Sequence, residues 1–483
     1  MICEEFEVVV VGAGPAGLAS AVTLGSYGVE TLVVERRASS STLPRATVAS
    51  TATMELLRRW GLEAEAWERS IDVEWQALAC TTLADADHGQ AVEVGLPTRE
   101  QALLVSPTSP ACLAQDELEP LLEEHVGSFG SVELERDVEL VALERASDGG
   151  HVLTLVGPDT SRRVRSRYVI GADGVRSSVR EALGIQSEGD ENVAERLAVV
   201  FRGPVWELVR EHRYGIYFLD AGRSFLPAGK PDRWVFGMEW DSTAEDADGL
   251  TTEQVTRWIR DASGEPDLQI AIERVMPVAF GIGLAERFRE GDVFLIGDAA
   301  HRVTPRGGTG LNTAIRDGFD IGWKLAWVLR GWAHERLLES YERERRPVAE
   351  FNTERSSRSD GSILNTAIGL NADIGGRIAH VWVPRDGHLA STLDLLGDGL
   401  TLFLGPNADD LMPSGEACSP PVTTVRLDAI AARGLGLSTE GTLLVTPDGF
   451  PVQLWNAQQP ANDHIAPRNT ARSAQVRPVE RAA

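Results

Sequence analysis

Residues 8–17 read VVVVGAGPAG, and this stretch decides the fold. Four β-branched residues in a row describe a strand buried on both faces, as in a parallel sheet. Gly12 and Gly14 then permit a tight turn that brings the main chain up to a pyrophosphate, and Gly17 lets the next helix pack closely on the strand. That helix, from Pro15 and Ala16 to about Tyr27, points its unpaired N–H groups at the phosphates. The following run, ETLVVERR, is a second strand ending at Glu35 and Arg36, where an acid can hold a ribose diol. An adenine dinucleotide is expected, and this unit alone leaves FAD and NAD(P) equally compatible.

The 483 residues predict roughly three domains with ample cores. A formal charge of −26 makes the surface repel polyanions, which disfavours nucleic acid as a partner. The four cysteines, Cys3, Cys80, Cys112 and Cys418, show neither CxxC nor metal-ligand spacing, so no disulfide framework, metal site or dithiol chemistry is expected. The segment MICEEFEVVVVGAG has no basic n-region, and its apolar run is too short to span a bilayer. The expectation is a cytoplasmic protein, a monomer or homodimer, with no membrane association.

Further along, QDELEPLLEEH reads as a helix, with Leu118, Leu121 and Leu122 on one face. The alternation between Val132 and Val169 predicts antiparallel strands that return to the parallel sheet. From Leu197 to about Ala279 the chain is rich in aromatic residues in short runs such as RYGIYFL and RWVFGMEW, which predicts an inserted sheet domain. A strand, a polar glycine-rich loop and a long helix follow in DVFLIGDAAHRVTPRGGTGLNTAIRDGFDIGWKLAWVLRGW, and YERERRPVA starts another helix. Beyond about Val381, LTLFLG, VTTVRLD and GTLLVTPDGFPVQLW read as strands of a small third domain. Residues 457–483 lack apolar periodicity and are expected to be a disordered tail.

Two more motifs break the tie between nucleotides. YVIGADGVRSSVRE sets Asp173-Gly174 after a strand, followed by Arg176, Ser177 and Arg180, and FLIGDAAHRVTPRGGTG sets Gly297-Asp298 after another. In this order, with GxGxxG, they resemble the fingerprints of the single-component (class A) FAD-dependent aromatic hydroxylases of the p-hydroxybenzoate hydroxylase fold, over about Phe6 to Ala349. The small third domain, especially GTLLVTPDGF, resembles the thioredoxin-like appendage of the phenol and polyketide hydroxylase branch. It has no CxxC, which leaves it a structural or dimer-contact role.

The resemblance implies an α/β fold, α+β in part. A Rossmann-like FAD-binding domain (1–180 and 281–380) would carry an inserted mixed β-sheet substrate domain (181–280), followed by a thioredoxin-like domain (381–456). It further implies that Gly12, Gly14 and Gly17 cradle the FAD pyrophosphate, Glu35 binds the adenosine ribose and Arg45 reaches the phosphates. Gln115 would lie near the ribityl chain, Asp298 would accept from a ribityl hydroxyl, and Asp173 and Arg176 would serve both FAD and the transient approach of NAD(P)H. Each has a plainer competitor: an Asp-Gly turn at Asp173, a helix cap at Asp298, a solvated charge at Arg45. His301, beside the glycine-rich loop, is expected to satisfy backbone groups and receives no catalytic role.

The loop TPRGGTGLN has its own logic. Gly307, Gly308 and Gly310 allow main-chain contact with a flat ring, and the helix that begins near Leu311 turns its positive end towards the loop. Reduced flavin is anionic at N1 and C2=O, so the dipole favours reduction. Pro305, Gly308, Gly310, Leu311 and Asn312 are the expected flavin wall, and Tyr214, Tyr217, Phe236, Met238 and Trp240 are candidates to line the substrate cavity, with core packing the competing role.

In proteins of the resembled family NAD(P)H reduces non-covalent FAD, O2 adds at C4a, and the C4a-hydroperoxyflavin gives its distal oxygen to a phenolic or polyketide-like ring. No Ser-His-Asp or Cys-His signature is then needed. Baeyer–Villiger insertion or epoxidation by the same fold, and a FAD-binding carrier or regulator without turnover, remain alternatives. A flavin halogenase would be expected to show WxWxIP, which this chain lacks.

Overall fold

The computed structural model describes residues 4–244, 246–385, 387–409 and 420–455, in two compact units, Met1–Gly375 and Gly376–Ala483. Cys3, Cys418 and the tail 457–483 lie outside the described residues.

In the first unit, strand Glu4–Val11 sits in the middle of a sheet whose order is Arg289–Glu290, Val293–Leu295, Ser161–Gly171, Glu4–Val11, Thr31–Glu35, Val132–Arg136. All neighbours except the edge pair Arg289–Glu290/Val293–Leu295 run parallel. Val8, Val9 and Val10 are fully buried, as a two-sided strand requires. The hairpin Glu139–Arg145/His151–Val156 pairs antiparallel with Ser161–Gly171. Val132–Arg136 departs from expectation: its alternating charges mark an edge strand, but it pairs parallel with Thr31–Glu35.

The inserted sheet has the order Ala271–Phe280, Ala194–Arg202, Arg233–Glu239, Arg223–Pro227, Tyr214–Leu219, Glu74–Cys80, Gln90–Val92. Its last two strands come from residues 74–92, which the boundary at 180 had assigned to the nucleotide domain. Glu74–Cys80 pairs parallel with Tyr214–Leu219, a long-range pairing that leaves no local trace in the sequence. One face is covered by Val255, Ile259 and Ala262 of helix Thr252–Ser263 and by Leu83 and Ala86.

The long helix Gly310–Leu329 packs directly on helix Pro15–Ser26. An added Cβ at Gly318 would collide with the Ala16 carbonyl oxygen, and one at Gly322 would lie 2.7 Å from the Thr23 side chain. The two backbones therefore touch, and both helix N-termini are carried on one rigid pair.

In the second unit, Leu400–Leu404 pairs parallel with Val422–Arg426 and antiparallel with Thr442–Val445, which in turn pairs antiparallel with Pro451–Trp455. This is the thioredoxin-like strand arrangement, and it starts at 376 rather than 381. Phe403, Val425 and Val445 form its core with Ala431 and Ala432 of helix Ala429–Gly434. Asp428 caps that helix by accepting from the N–H groups of Ile430 and Ala431 at 2.8 Å.

Gly318→Val should lower stability by about 1–3 kcal/mol through overpacking, whereas Gly130→Ala, where an added Cβ meets nothing within 4 Å, should change little. Thermal denaturation of the two variants checks this.

Candidate active site

The first cradle is the turn after Glu4–Val11. Gly12 has φ +108°, and an added Cβ there would collide with the Ala172 carbonyl oxygen. A Cβ at Gly17 would collide with the Gly12 carbonyl oxygen, while one at Gly14 would meet nothing within 4 Å. Two glycines thus close the turn, and the third leaves its outer surface open. Helix Pro15–Ser26 has no side-chain cap and no acid in its first turn, so the N–H groups of Ala16 and Gly17 precede its first bond, Leu18 N–H to Gly14 C=O at 2.9 Å. Glu35 accepts from the Ala13 N–H at 2.9 Å and the Arg37 N–H at 3.0 Å, which fixes its carboxylate beside the turn. Arg36 is exposed next to it.

Arg45 is exposed, and its turn is tied down by the Gln115 N–H, which donates to the Ala46 carbonyl at 2.8 Å. The Gln115 side chain donates to Glu119 at 2.6 Å. Burial raises the Glu119 pKa, against the opposing charges of Arg37 and Arg45.

The DG and GD loops meet. Asp173 accepts from the Val179 N–H at 3.1 Å through Oδ2, and its Oδ1 is buried without a partner. Burial holds its pKa above the usual carboxylate value, although Ser177 and the nearby amides favour the charged form. Arg176, the motif arginine singled out in the sequence, is exposed. Arg180 makes the link, donating to the Ala299 carbonyl at 2.8 Å and the Val175 carbonyl at 2.7 Å. Its position on the first turn after the DG motif was the available signal. Asp298 is exposed to solvent yet surrounded by protein, as on the floor of a cleft; this crowding raises its pKa, opposed by His301, Arg302 and Arg45.

The second cradle is the N-terminus of helix Gly310–Leu329. Thr309 provides no side-chain cap, and the N–H groups of Gly310, Leu311 and Asn312 precede the first bond, Thr313 N–H to Thr309 C=O at 2.8 Å. Pro305 is exposed at the start of the loop, and Gly308 turns it with φ +63°. The Asn312 side chain is fully used. It accepts from the Ser50 N–H (2.8 Å) and the Thr53 hydroxyl (2.7 Å) and donates to the carbonyls of Val48 (3.1 Å) and Gly308 (2.8 Å), so only its main chain is free to face a ring.

Beneath both loops lies a charged network that the sequence did not reveal. Asp317, fully buried on the long helix, accepts from the Gly297 N–H at 3.1 Å, from His301 Nε2 at 2.5 Å and from Arg345 Nε at 2.7 Å. Burial opposes its charge, but His301 and Arg345 outweigh it and hold its pKa below the usual value. His301 therefore satisfies a carboxylate rather than the backbone groups expected, and its Nδ1 is buried without a partner. A positional clue was present, since Asp317 lies two turns into a long helix at the spacing of its buried residues, where Asp320 and Lys324 are buried as well.

The substrate-lining candidates fall on the covered face of the inserted sheet. Tyr217 and Phe236 are fully buried and Trp240 is 8% exposed, all in the cluster under helix Thr252–Ser263, with Tyr214 and Met238 packed against it. The Tyr217 hydroxyl is spent on the His212 carbonyl at 2.6 Å. On the opposite face, cross-strand register aligns Phe218, Ser224, Gly237, Ala198 and Met276 in one row. Three small residues thus stand between two bulky ones, with the Arg196 guanidinium 3.7 Å from an added Cβ at Gly237. Beside it, Leu226, Val235 and Val200 form a second, apolar row. Ile216, of the same face, packs on a cluster containing Val48, and Arg306 of the glycine-rich loop stacks over Phe280 at 5.8 Å. The open face is thus the one turned to the second cradle.

The two uncapped helix ends, with Asp298 beside them, offer main-chain donors and one acceptor along a line that an extended dinucleotide can follow. The comparisons with known proteins agree. The FAD binding domain family model matches residues 5–356. Tetracenomycin A2 monooxygenase-dioxygenase of Streptomyces glaucescens is 30% identical, with 95% of this chain and 94% of that protein covered. An aklavinone 12-hydroxylase of Streptomyces purpurascens is 31% identical, with 95% and 96% covered. The crystal structure of an aklavinone-11 hydroxylase in ternary complex with FAD and aklavinone superposes with a TM-score of 0.83 at 30% identity, covering 94% of this chain and 96% of that one. Among the described residues no helix is long and apolar enough to cross a membrane.

The raised pKa of Asp173 has a sign that can be tested. Because the folded state holds the proton more tightly than the unfolded state, the group's contribution is fully favourable below the usual Asp range, about pH 4, and is lost as pH rises through the higher folded value. Asp173→Asn keeps the acceptor for Val179 and removes the penalty. In urea unfolding it should be more stable than the parent at pH 8, with the advantage shrinking towards pH 4.

Proposed function

The chain belongs to the FAD-binding-domain family, and from that premise we propose that it is an NAD(P)H-dependent flavoprotein monooxygenase that hydroxylates a phenolic, polyketide-like aromatic. Bound FAD supplies the redox and oxygen-transfer chemistry, while the chain binds, orients and shields. The observation that carries this reading is the pair of uncapped helix N-termini with Asp298 beside them, opposite an open apolar sheet face.

In this reading the N–H groups of Ala16 and Gly17, at the turn made by Gly12 and Gly14, take the pyrophosphate. Glu35 takes the adenosine ribose, with Arg36 at the rim. Arg45 supplies positive charge to the phosphates, and Gln115 and Asp298 face the ribityl chain. The N–H groups of Gly310, Leu311 and Asn312 meet the ring edge that gains negative charge on reduction, with Pro305 and Gly308 shaping the wall. NAD(P)H approaches by the exposed Arg176, where Asp173 holds the loop.

The row formed by Ser224, Gly237 and Ala198 takes the substrate. A row of small residues suits a flat fused-ring system, and the neighbouring Leu226 and Val235 exclude water from the ring that reacts. This moves substrate recognition from the aromatic face of the sheet to the opposite one.

Asp298→Ala should weaken FAD binding about tenfold or more, the effect of losing a charged acceptor worth roughly 1.5–3 kcal/mol, with unchanged circular dichroism; fluorescence titration of the apoprotein measures it. For the reaction itself, a panel of planar polyketide phenols is screened for stimulation of NAD(P)H oxidation. The expected result is a compound that stimulates oxidation and gains one atom of label from 18O2. Oxidation at the same background rate with every compound, despite full FAD content, would instead favour a carrier without turnover.

A further inference from the structure

Behind the glycine-rich loop lies a cavity of about 40 Å³, bounded by Gly308, Thr309, Arg316, Arg345, Arg355 and Asp373. Two of its arginines lack an ion-pair partner among the described residues. Arg345 is committed to Asp317 at 2.7 Å. Arg355 donates only to main-chain carbonyls, Gly361 at 2.9 Å and Val94 at 3.0 Å, and Arg316 only to those of Ala372 and Asp373. Neither forms an ion pair among the described residues. The one carboxylate in the wall, Asp373, is occupied elsewhere, accepting from the Ser50 hydroxyl at 2.8 Å and the Ala52 N–H at 3.0 Å. Glu55, Asp317 and Asp373 lend Arg316 some opposite charge without an ion pair to it, and burial alone acts on Arg355.

Three independent features carry the same sign. The Thr309 hydroxyl is buried with no partner, so it has a free donor. The adjacent end of helix Gly310–Leu329 is uncapped and positive. Burial pushes Arg355 down to about 10 and also lowers Arg316, where Arg345 adds its repulsion to the burial and Asp373, Glu55 and Asp317 only partly offset it. A buried cation without a counter-charge is costly, and an arginine does not shed its proton near neutral pH to escape.

We propose that this cavity is a binding site for one small monovalent inorganic anion of halide size, held by Arg316, Arg355 and the Thr309 hydroxyl. Its volume exceeds the roughly 10–15 Å³ that one water requires and leaves no room for a sugar acid or a ring. An added Cβ at Gly307 would lie 2.7 Å from the Arg355 guanidinium carbon, so the ion sits directly under the loop and its binding is felt there.

The test compares thermal unfolding of the purified protein in sodium chloride and sodium gluconate at equal ionic strength. Chloride should give a saturable rise of about 1–3 °C that gluconate does not, and Arg355→Gln should abolish the difference. Crystals of the parent protein soaked in bromide should show an anomalous peak within hydrogen-bond reach of Arg316 or Arg355. That measurement decides the matter if the variant does not fold. Superimposable chloride and gluconate curves for the parent protein, or a bromide map with no peak in the cavity, would overturn the proposal.

Discussion

One buried carboxylate holds the nucleotide-binding half of this protein in register. Asp317 accepts from the Gly297 amide, from His301 and from Arg345, and so joins the GD loop, the long helix and helix Glu339–Ser357 at a single point. In a low-dielectric interior such a group is strongly directional, because each lost donor leaves a charge uncompensated. The GD turn is therefore not a loop resting on the sheet. Its first amide is pinned to the same helix whose N-terminus forms the second cradle, and Arg180 pins its far end to the DG loop. The DG and GD motifs, far apart in sequence, are thereby tied into one structural unit.

The electrostatics run against the chain as a whole. A protein with a formal charge of −26 has nonetheless kept acids out of the first turns of both cradle helices and placed arginines around the glycine-rich loop. Arg302 and Arg306 approach the inserted sheet, and Arg316 and Arg355 lie behind the loop. An acidic exterior repels polyanions at long range, but salt screens that field within about 10 Å. The local positive potential is thus what an anionic ligand experiences once inside the cleft.

The parallel sheet and the first cradle were legible because their signals are local: a β-branched run, glycines at fixed offsets, an acid at the next strand end. What stayed hidden was non-local. Glu74–Cys80 drew no strand reading from the sequence, and nothing near it says that its partner is Tyr214–Leu219. Alternation in RWVFGMEW grouped Phe236, Met238 and Trp240 by face, whereas Tyr214 joins Tyr217 only through the register shift between them, and periodicity carries no sign. The covering helix decides which face is core, and the apolar stripe of Val255, Ile259 and Ala262 was the clue that aromatic Tyr217 and Phe236 belonged under it. His301 was read as a neighbour of the glycine loop because its partner, Asp317, sits sixteen residues away on the far side of that loop. The small second unit was legible as a set of strands, its thioredoxin-like character came only from the resemblance at GTLLVTPDGF, and its start lies a few residues earlier than expected.

The contact of helix Pro15–Ser26 with helix Gly310–Leu329 at Gly318 and Gly322 has a consequence for cofactor placement. With the backbones touching, neither helix can slide along the other, so the span between their free N-termini is fixed like the jaws of a caliper. A ligand collects both sets of amide contacts only if its own length matches that span. In the proposed placement the ring-to-phosphate stretch that FMN and FAD share already covers that span, so the caliper sets where a flavin lies along the cleft. A preference for FAD over FMN then falls to the adenosine half, on the side where Glu35 stands beside the first turn.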